Sequence, residues 1–286
     1  MLANPRRSLI RRARPSLWWT LSGLLLLLVA HLVIKATTPI EQMQELPVAF
    51  YPEVLGPWKG FRIAVLSDVH LVDAGQDLER FRMLLGQVVA EKPSLVLLLG
   101  DYINASTAEE EHQVIREGFG KALELLDGLP VALVLGNHDS WSGYDDWVMA
   151  LSGGKPRLLE NKTTTFDTAQ GRVCVRGIGD SFSGHKAAVA FSPTCGALPR
   201  LTITHDPAGG LGQGVDGLVL AGHTHCGQIS LPLIGPLWIP TKAPREASCG
   251  VWKDQGRVLF VSSGIGTSIL PLRFGAQAGW DLLEIR

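Results

Sequence analysis

Five short polar clusters, each directly after an apolar and strand-like run, constrain the fold of this chain more than any other feature. They are Asp68-Val69-His70, Gly100-Asp101, Gly136-Asn137-His138-Asp139, Thr204-His205 and Gly222-His223-Thr224-His225. These clusters hold five of the eight histidines of the chain. Because alternate residues of an extended segment share a face, His223 and His225 can reach one site. A lone His-x-His pair is typical of a solvated loop, but five polar clusters that each follow a strand-like run together predict a common polar site.

The first half of the chain has the pattern of a parallel sheet. Apolar runs at 62–67 and 95–99 flank a stretch, 77–91, whose apolar residues recur at helical spacing. A strand-helix-strand unit normally makes a right-handed parallel crossover, and 114–126 followed by 131–135 repeats the unit. Ligands of open α/β sheets bind beyond the carboxyl ends of the strands. Asp68, Asp101 and Asn137 are therefore expected at one edge of the sheet.

The second half differs in character and predicts a second sheet packed on the first. Short candidate strands occur at 172–178, 201–204, 218–221, 229–234, 258–262 and 280–285, separated by Gly and Pro. The fold class is thus α/β, with two packed mixed β-sheets flanked by helices over residues 61–286. An apolar content of 46% with a net charge of -1 suits an ordinary packed core, and it does not suggest a nucleic-acid partner.

The N-terminal region predicts a membrane anchor. Residues 1–14 hold five arginines, and no formally charged residue occurs from Pro15 to Ile34. Twenty positions at about 1.5 Å each reach roughly 30 Å, the thickness of a hydrocarbon core. We therefore expect a transmembrane helix at 15–35, followed by a proline-containing linker and lead-in at 36–60.

The charge asymmetry also predicts the orientation of the chain. It favours a single-pass protein of the inner membrane whose folded body, residues 61–286, lies outside the cytoplasm. A cleaved signal peptide, a twin-arginine export signal at Arg6-Arg7 and a cytoplasm-facing body are the alternatives.

Seven side chains in the polar clusters carry metal-binding oxygen or nitrogen atoms. They are Asp68, His70, Asp101, Asn137, His205, His223 and His225. Seven donors without a thiolate exceed one site and suit two divalent ions such as Mn, Fe, Zn or Ni, with a carboxylate as the bridge. A hydroxide between two such ions is a nucleophile near neutral pH, and phosphorus is its natural target.

The four cysteines leave the redox compartment open. Cys174, Cys195, Cys226 and Cys249 form no C-x-x-C pair, and three pairings are possible. Cys226 follows His225 directly, so it is either a reactive or ligating thiol or a small residue that fills tight space.

The five clusters, in this order, resemble the motifs of the calcineurin-like metallophosphoesterase superfamily over roughly 61–286. The continuation of G-H-T-H into Gly227-Gln228, and the later Gly264-Ile265-Gly266 and Leu272-Arg273, are similar to its membrane-anchored bacterial branch. Cys226 stands where that branch usually has glycine, which puts the conformation of the loop in doubt. The resemblance implies a four-layer sandwich in which two mixed sheets lie between helical layers.

The resemblance also implies a role for each site residue. Asp68, His70 and His225 would hold the first metal, and Asn137, His205 and His223 the second, with Asp101 as the bridge. His138 would be the non-ligand histidine that contacts the scissile phosphate or protonates the leaving oxygen. Asp139 would orient the His138 imidazole, or cap a helix that starts near Ser140.

We therefore expect a dinuclear metal-dependent phosphoesterase whose metal-bridging hydroxide attacks in line. Phosphodiesters or pyrophosphates of lipid or cell-envelope origin are the expected substrates, because an anchored site meets amphiphiles in the bilayer. The alternatives are a cytoplasm-facing pyrophosphatase of the UDP-diacylglucosamine type and a non-catalytic metal-binding envelope protein.

Four further predictions concern residues around the site. Asp180 is read as a turn residue, with a substrate contact as the alternative. Arg273 either recognises phosphate or packs at the domain rim. Asn104 and the glycines at 100, 136 and 222 are expected to shape loops beside the ions.

Overall fold

The computed structural model describes residues 17–254 and 256–286, and for residues 17 and 31–37 it describes the backbone alone. The helices are α1 (Leu17–Thr37), α2 (Pro52–Leu55), α3 (Gln76–Ala90), α4 (Glu109–Leu123), α5 (Asn137–Trp141), α6 (Tyr144–Leu151) and α7 (Pro207–Gly210). The strands of the first half are β1 (Ile40–Leu46), β2 (Arg62–Leu66), β3 (Leu95–Leu98), β4 (Val131–Leu133), β5 (Arg157–Leu158), β6 (Lys162–Thr168) and β7 (Gly171–Ile178). Those of the second half are β8 (Arg200–Thr204), β9 (Gly217–Ala221), β10 (Ser230–Leu231), β11 (Gly235–Pro236), β12 (Gly250–Lys253), β13 (Arg257–Val261) and β14 (Gly279–Ile285).

The first sheet has the strand order β1-β14-β2-β3-β4-β5. Strands β2, β3 and β4 are parallel neighbours, with α3 and α4 in the two connections, as the sequence predicts. The apolar runs that form β2, β3 and β4 have almost only apolar side chains, as is typical of parallel strands that are buried on both faces of the sheet. Helix α3 buries one face through Leu78, Phe81, Leu85 and Val88, whose spacing matches the helical period. The carboxyl ends of three strands therefore meet at one edge.

The second sheet has the order β12-β13-β9-β8-β7-β6 and packs against the first. Its central strands β7, β8, β9 and β13 run parallel, and antiparallel strands lie at both edges. Side chains such as Ile63, Leu97, Ile203, Leu220 and Phe260 fill the space between the two sheets. The predicted mixed α/β fold with two packed sheets is confirmed.

The two outer layers are unequal. Phe81, Phe119 and Trp147 of α3, α4 and α6 pack on the outer face of the first sheet. The outer face of the second sheet is covered by less regular structure, with the four-residue helix α7, a 3-10 turn at Arg245–Ala247 and Trp252 of the edge strand β12. The fourth layer of the expected sandwich is therefore thin.

Three segments differ from the sequence-based expectations. The stretch 36–60 contains β1, which pairs in parallel with β14, so the folded domain begins at Ile40 and not at Phe61. Residues 280–285 join the first sheet through β14 and not the second. Within 229–234 only Ser230–Leu231 is a strand, because Pro232 follows at once and cannot donate to a ladder.

The N-terminal prediction is only partly covered by the structure. The basic segment 1–14 lies outside the described residues, whereas the expected transmembrane segment 15–35 overlaps α1. In the part of the chain that is described, no helix combines the length and the apolar character needed to cross a bilayer. The expected transmembrane helix is thus not found among the described residues.

All four cysteines form disulfides. Cys174 pairs with Cys195, and Cys226 pairs with Cys249. The reactive or ligating thiol predicted for Cys226 is wrong, because its sulfur is bonded to Cys249, whereas its role as a small residue that fills tight space stays a prediction. The sequence could not reveal the pairing, since Cys249 approaches Cys226 only through the fold.

Candidate metal centre

The predicted donors gather where the two sheets meet. Asp68, Asp101 and Asn137 follow the carboxyl ends of β2, β3 and β4, and His205 and His223 follow those of β8 and β9. Each of the seven donors is at most 5% exposed. Buried polar side chains normally require partners, so the convergence of this many polar side chains in the interior indicates a binding site.

The backbone at this site is strained. Five of the seven predicted donors have left-handed φ values, namely Asp68 (54°), His70 (53°), Asp101 (55°), His223 (70°) and His225 (49°). Such conformations cost on the order of 1–3 kcal/mol each for residues other than glycine, and they accumulate at functional sites. The local chain conformation is therefore held by the surrounding fold.

The first donor cluster consists of Asp68, His70 and His225. The Nε2 atoms of the two histidines are 3.0 Å apart, and His225 Nε2 lies 3.4 Å from Asp68 Oδ1. Burial lowers the pKa of His70 to about 3, and burial with the nearby Arg273 charge holds the pKa of His225 well below its usual value. Both rings are therefore neutral at pH 7. Among the described residues, Asp68 Oδ1 is buried without a hydrogen-bond partner.

The second cluster consists of Asp101, Asn137, His205 and His223. His205 Nε2 lies 3.2 Å from Asp101 Oδ2, 3.2 Å from Asn137 Oδ1 and 3.1 Å from His223 Nδ1. Burial disfavours the His205 imidazolium, but the adjacent Asp101 carboxylate outweighs it and raises the pKa of His205 well above its usual value. The same contact holds the pKa of Asp101 well below its usual value against the effect of burial. A positive charge is thus favoured between the His205 ring and the Asp101 carboxylate.

Asp101 joins the two clusters. Its Oδ2 lies 3.7 Å from His70 Nε2 in the first cluster and 3.2 Å from His205 Nε2 in the second. Its Oδ1 accepts a hydrogen bond from the backbone N–H of His138 at 2.8 Å, which fixes the rotation of the carboxylate. Asp101 therefore has the position that a bridging carboxylate needs.

Backbone carbonyls select the tautomers of two histidines. His205 Nδ1 lies 2.6 Å from the Leu99 carbonyl, and His223 Nε2 lies 2.5 Å from the Pro240 carbonyl. Since a carbonyl only accepts, each of these nitrogens carries the proton. The lone pairs of His205 Nε2 and His223 Nδ1 then face each other, which is favourable only with a cation or a proton between them. This arrangement is typical of metal-binding histidines.

His225 has a different partner on its second nitrogen. Arg273 Nη2 lies 2.8 Å from His225 Nδ1, and a guanidinium can only donate. A cation on His225 Nε2 would place the ring proton on Nδ1, so its binding requires this contact to loosen.

Arg273 is a structural residue and not a surface phosphate contact. It is fully buried, and it also donates to the carbonyls of Ser263, Gly264 and Gly266. Of the two predicted roles for Arg273, phosphate recognition is therefore excluded in this arrangement. The rim position is also wrong, because the side chain lies inside the domain. Burial lowers the pKa of Arg273 to about 10, so the side chain remains cationic at pH 7.

His138 lies beside both clusters without being at the centre of either. Its Nε2 is 3.9 Å from Asp101 Oδ2, and its Nδ1 accepts a hydrogen bond from the Ala105 N–H at 2.8 Å. Burial lowers the pKa of His138, so the ring is neutral at pH 7. A neutral ring whose Nδ1 accepts must carry its proton on Nε2. His138 therefore presents an N–H to the site.

Asp139 does not bond to the His138 ring, contrary to the expected orienting role. Its carboxylate accepts hydrogen bonds from four backbone N–H groups: Asp101 at 2.8 Å, Tyr102 at 2.8 Å, Ile103 at 3.3 Å and Gly136 at 2.9 Å. The alternative prediction, in which Asp139 caps a helix, is closer to the observed role, although that helix, α5, begins at Asn137 rather than near Ser140. Asp139 thus holds the loop that carries Asp101, while Ala105 orients His138.

Two aromatic residues at the site were missed by the sequence reasoning. Trp141 lies 5.3 Å from the His138 ring and Phe182 lies 4.6 Å from the His223 ring, and both are partly exposed. Trp141 follows His138 by three residues on α5, which is a helical spacing that could have revealed it. Phe182 follows the turn at Asp180, whose Oδ2 accepts the Ser183 N–H as a turn residue does.

The expected roles of Asn104 and of the glycines are borne out in the structure. Asn104 ties its own loop to the Thr267 carbonyl. A Cβ at Gly136 would lie 2.1 Å from Asp101 Oδ1, and one at Gly222 would lie 2.7 Å from Asp68 Oδ2. Gly100 has a φ of +92° and packs on the backbone of Gly136. Only glycine leaves room for the two carboxylates at these positions.

The chemistry of the two clusters fits divalent cations. The groups Asp68-His70-His225 and Asp101-His205-His223 each place their ligand atoms within 4.8 Å of one another. The neutral imidazoles, the unpartnered Asp68 Oδ1 and the facing lone pairs of His205 and His223 are the features that a bound cation would satisfy.

Comparisons with known proteins agree with this site. A family model for calcineurin-like phosphoesterases matches residues 61–227, which include all seven donors. The metallophosphoesterase YkuE of Bacillus subtilis is 28% identical over 232 residues, or 76% of each chain. The phosphodiesterase YaeI of Escherichia coli is 26% identical over 244 residues, covering 83% of this chain and 86% of that protein. A transmembrane protein with a metallophosphoesterase domain from Danio rerio is 26% identical over 271 residues, covering 88% of this chain and 58% of that protein. The chain belongs to the calcineurin-like phosphoesterase family.

Proposed function

We propose that this metal-dependent phosphoesterase is a dinuclear hydrolase of phosphodiesters or pyrophosphates that carry a lipid or cell-envelope group. The observation that carries the proposal is the pair of donor clusters that share Asp101. Asp68, His70 and His225 would hold one cation, and Asn137, His205 and His223 would hold the other. Two divalent cations, when bound, supply Lewis acidity and activate water near neutral pH.

His138 is the proposed hydrogen-bond donor to the leaving group. The Ala105 amide keeps its Nδ1 unprotonated, so Nε2 carries a proton toward the space beside Asp101. A leaving oxygen that occupies this space accepts a hydrogen bond from this Nε2–H, which stabilises the negative charge that develops there while the ring keeps its proton. Asp139 acts indirectly, because its hydrogen bonds to the 101–103 backbone keep Asp101 in place.

The surroundings of the clusters favour a substrate with an apolar part. A cavity of about 690 Å³ runs from His70 to Thr38 and Pro39, and the apolar side chains of Phe81 and Leu84 contribute to its wall. Charged and polar side chains such as Asp77, Arg80 and Gln87 also line it, so the cavity suits an amphiphile with an apolar and a polar part. That the relative YaeI is named a phosphodiesterase supports a diester substrate.

Anchoring at the inner membrane with an extracytoplasmic body belongs to the same proposal. The two disulfides support it, since such bonds form and persist outside the reducing cytoplasm. The name of the Danio rerio relative, a transmembrane protein, is consistent with an anchor. A reporter enzyme fused after Arg286 tests the orientation. Activity of a reporter that works only in the cytoplasm would favour the cytoplasm-facing pyrophosphatase.

The hydrolytic proposal is tested with bis(p-nitrophenyl) phosphate and Mn-loaded protein. Wild type is expected to turn over the diester, and Asp101→Asn is expected to lose this turnover because the shared ligand is gone. Asp167→Asn is the matched control, since Asp167 is highly exposed in β6. Full metal loading without hydrolysis of diesters, monoesters or pyrophosphates would instead identify a non-catalytic metal-binding protein.

A further inference from the structure

Two neighbouring loops beside the metal centre expose an unusual amount of apolar surface. We call residues 229–238 and 267–271 the rim surface. Its large exposed side chains are Leu233, Ile234, Leu237, Trp238, Ile269 and Leu270, and Leu233 is fully exposed. Contiguous exposed apolar surface on a soluble domain usually marks a contact with another molecule or with a membrane.

The two loops form one unit. The Ser230 N–H donates to the Phe274 carbonyl at 2.7 Å, and Gln228 Nε2 donates to the Leu270 carbonyl at 2.8 Å. The Leu237 N–H closes the hairpin on the Ile229 carbonyl at 3.0 Å. The two loops that carry the exposed side chains are therefore joined by backbone and side-chain hydrogen bonds.

The rim surface borders the mouth of the metal centre. Pro240, two residues beyond it, supplies the carbonyl at His223 Nε2. Ser268 Oγ lies 3.5 Å from His138 Nε2. Whatever covers the rim surface therefore lies next to the position of the substrate.

The rim surface also lies next to the end of helix α1. Thr38 and Pro39, directly after α1, line the same cavity as Thr267 and Pro271. Gln277 Nε2 donates to the Thr38 carbonyl at 3.1 Å. In the described part of α1, the side chains of Trp18, Trp19 and most of the leucines are exposed. Helix α1 thus joins the domain on the side where the rim surface is found.

The charge pattern distinguishes a lipid surface from a protein partner. Residues 229–241 contain no formally charged side chain, and the next charged residues are Lys242, Arg245 and Glu246, all exposed, with a net charge of +1. Apolar tips with a tryptophan and neighbouring cations are typical of segments that enter the headgroup region of anionic bilayers. We propose that the rim surface rests in the headgroup region of a lipid bilayer, so that the metal centre opens toward the membrane.

This inference deepens the proposed action on lipid phosphoesters and rests on it for the identity of the substrate. The contact itself is independent of catalysis. Cross-linking can therefore succeed where hydrolysis fails, and hydrolysis can succeed where cross-linking fails.

The contact is tested by photo-cross-linking of the full chain in vesicles of phosphatidylethanolamine and phosphatidylglycerol. The benzophenone amino acid is placed at Leu233 and, as the control, at Met149, an exposed apolar residue of α6. Mass spectrometry is expected to show lipid adducts at 233 in roughly tenfold excess over 149. Equal yields at the two positions, or protein adducts at 233 in place of lipid, would overturn the inference.

A second measurement links the surface to turnover. The double variant Leu233→Ser and Ile234→Ser changes two exposed side chains, so the fold is expected to persist. Its rate on a phosphodiester embedded in vesicles should fall several-fold relative to wild type, with an unchanged rate on bis(p-nitrophenyl) phosphate. Equal losses on both substrates would contradict a membrane-contact role.

Discussion

Replacing Asp139 with asparagine removes acceptor capacity from the loop that carries Asp101. Oδ2 of Asp139 accepts the N–H groups of Asp101 and Gly136, and Oδ1 accepts those of Tyr102 and Ile103. Asparagine retains one oxygen, so two buried N–H donors lose their acceptor and face an NH₂ group. A buried donor left unsatisfied costs about 1–3 kcal/mol, so the free energy of unfolding should fall by about 2–6 kcal/mol.

Urea unfolding monitored by tryptophan fluorescence measures this loss. The buffer should contain a chelator, because bound metal would stabilise the folded state separately. Asp167→Asn is the control, and it should change the free energy of unfolding by less than about 0.5 kcal/mol, because Asp167 is exposed. If Asp139 instead acted by orienting the His138 ring, Asp139→Asn would reduce turnover as His138→Gln does while leaving the unfolding free energy unchanged. That result would refute the proposed holding of the loop.

Three further predictions follow from the same geometry. Metal bound per chain, measured by plasma mass spectrometry, should fall by about half or more in Asp101→Asn, because both clusters lose a ligand. Gly136→Ala should abolish turnover and destabilise the fold, because the added Cβ would lie 2.1 Å from Asp101 Oδ1, although the backbone at Gly136 itself suits alanine. The control is Gly120→Ala in α4, whose Cβ would meet no atom within 4 Å. In thermal unfolding this control should be neutral or stabilising. Burial raises the pKa of Asp281 from 3.8 to about 7, so the folded state retains a proton that the unfolded chain has lost. This contribution to stability is complete below about pH 4 and is lost as pH rises through 7. At about 1.4 kcal/mol per pKa unit, the loss amounts to about 4 kcal/mol. The free energy of unfolding, measured at about pH 5 and about pH 8, should therefore depend less on pH in Asp281→Asn than in wild type.

The site could be located from the sequence because its donors follow strands that the local pattern reveals. Parallel strands with helical crossovers bring Asp68, Asp101 and Asn137 to one edge, and the structure shows them there. The same logic extends to His205 and His223 after β8 and β9. Residue type and position along the chain were enough to find the cluster.

The partners of those side chains could not be obtained in this way. The acceptor role of Asp139 depends on N–H groups of a loop more than thirty positions earlier, and the burial of Arg273 depends on the carbonyls of 263–266. Strand β1 was missed because its pairing strand is β14, which begins at Gly279. Such contacts leave no periodic signal near the residues concerned.

The place of β14 between β1 and β2 has a consequence for biosynthesis. The last seven-residue strand of the chain is an interior strand of the first sheet, and β2 has an open edge until β14 arrives. During translation, that edge stays unpaired until residues 279–285 have left the ribosome, more than 200 residues after β2, which exposes a nascent strand to incorrect pairing. Removal of Gly279–Ile285 would therefore separate β1 from the rest of the first sheet, whereas removal of an edge strand would leave the remaining strands paired.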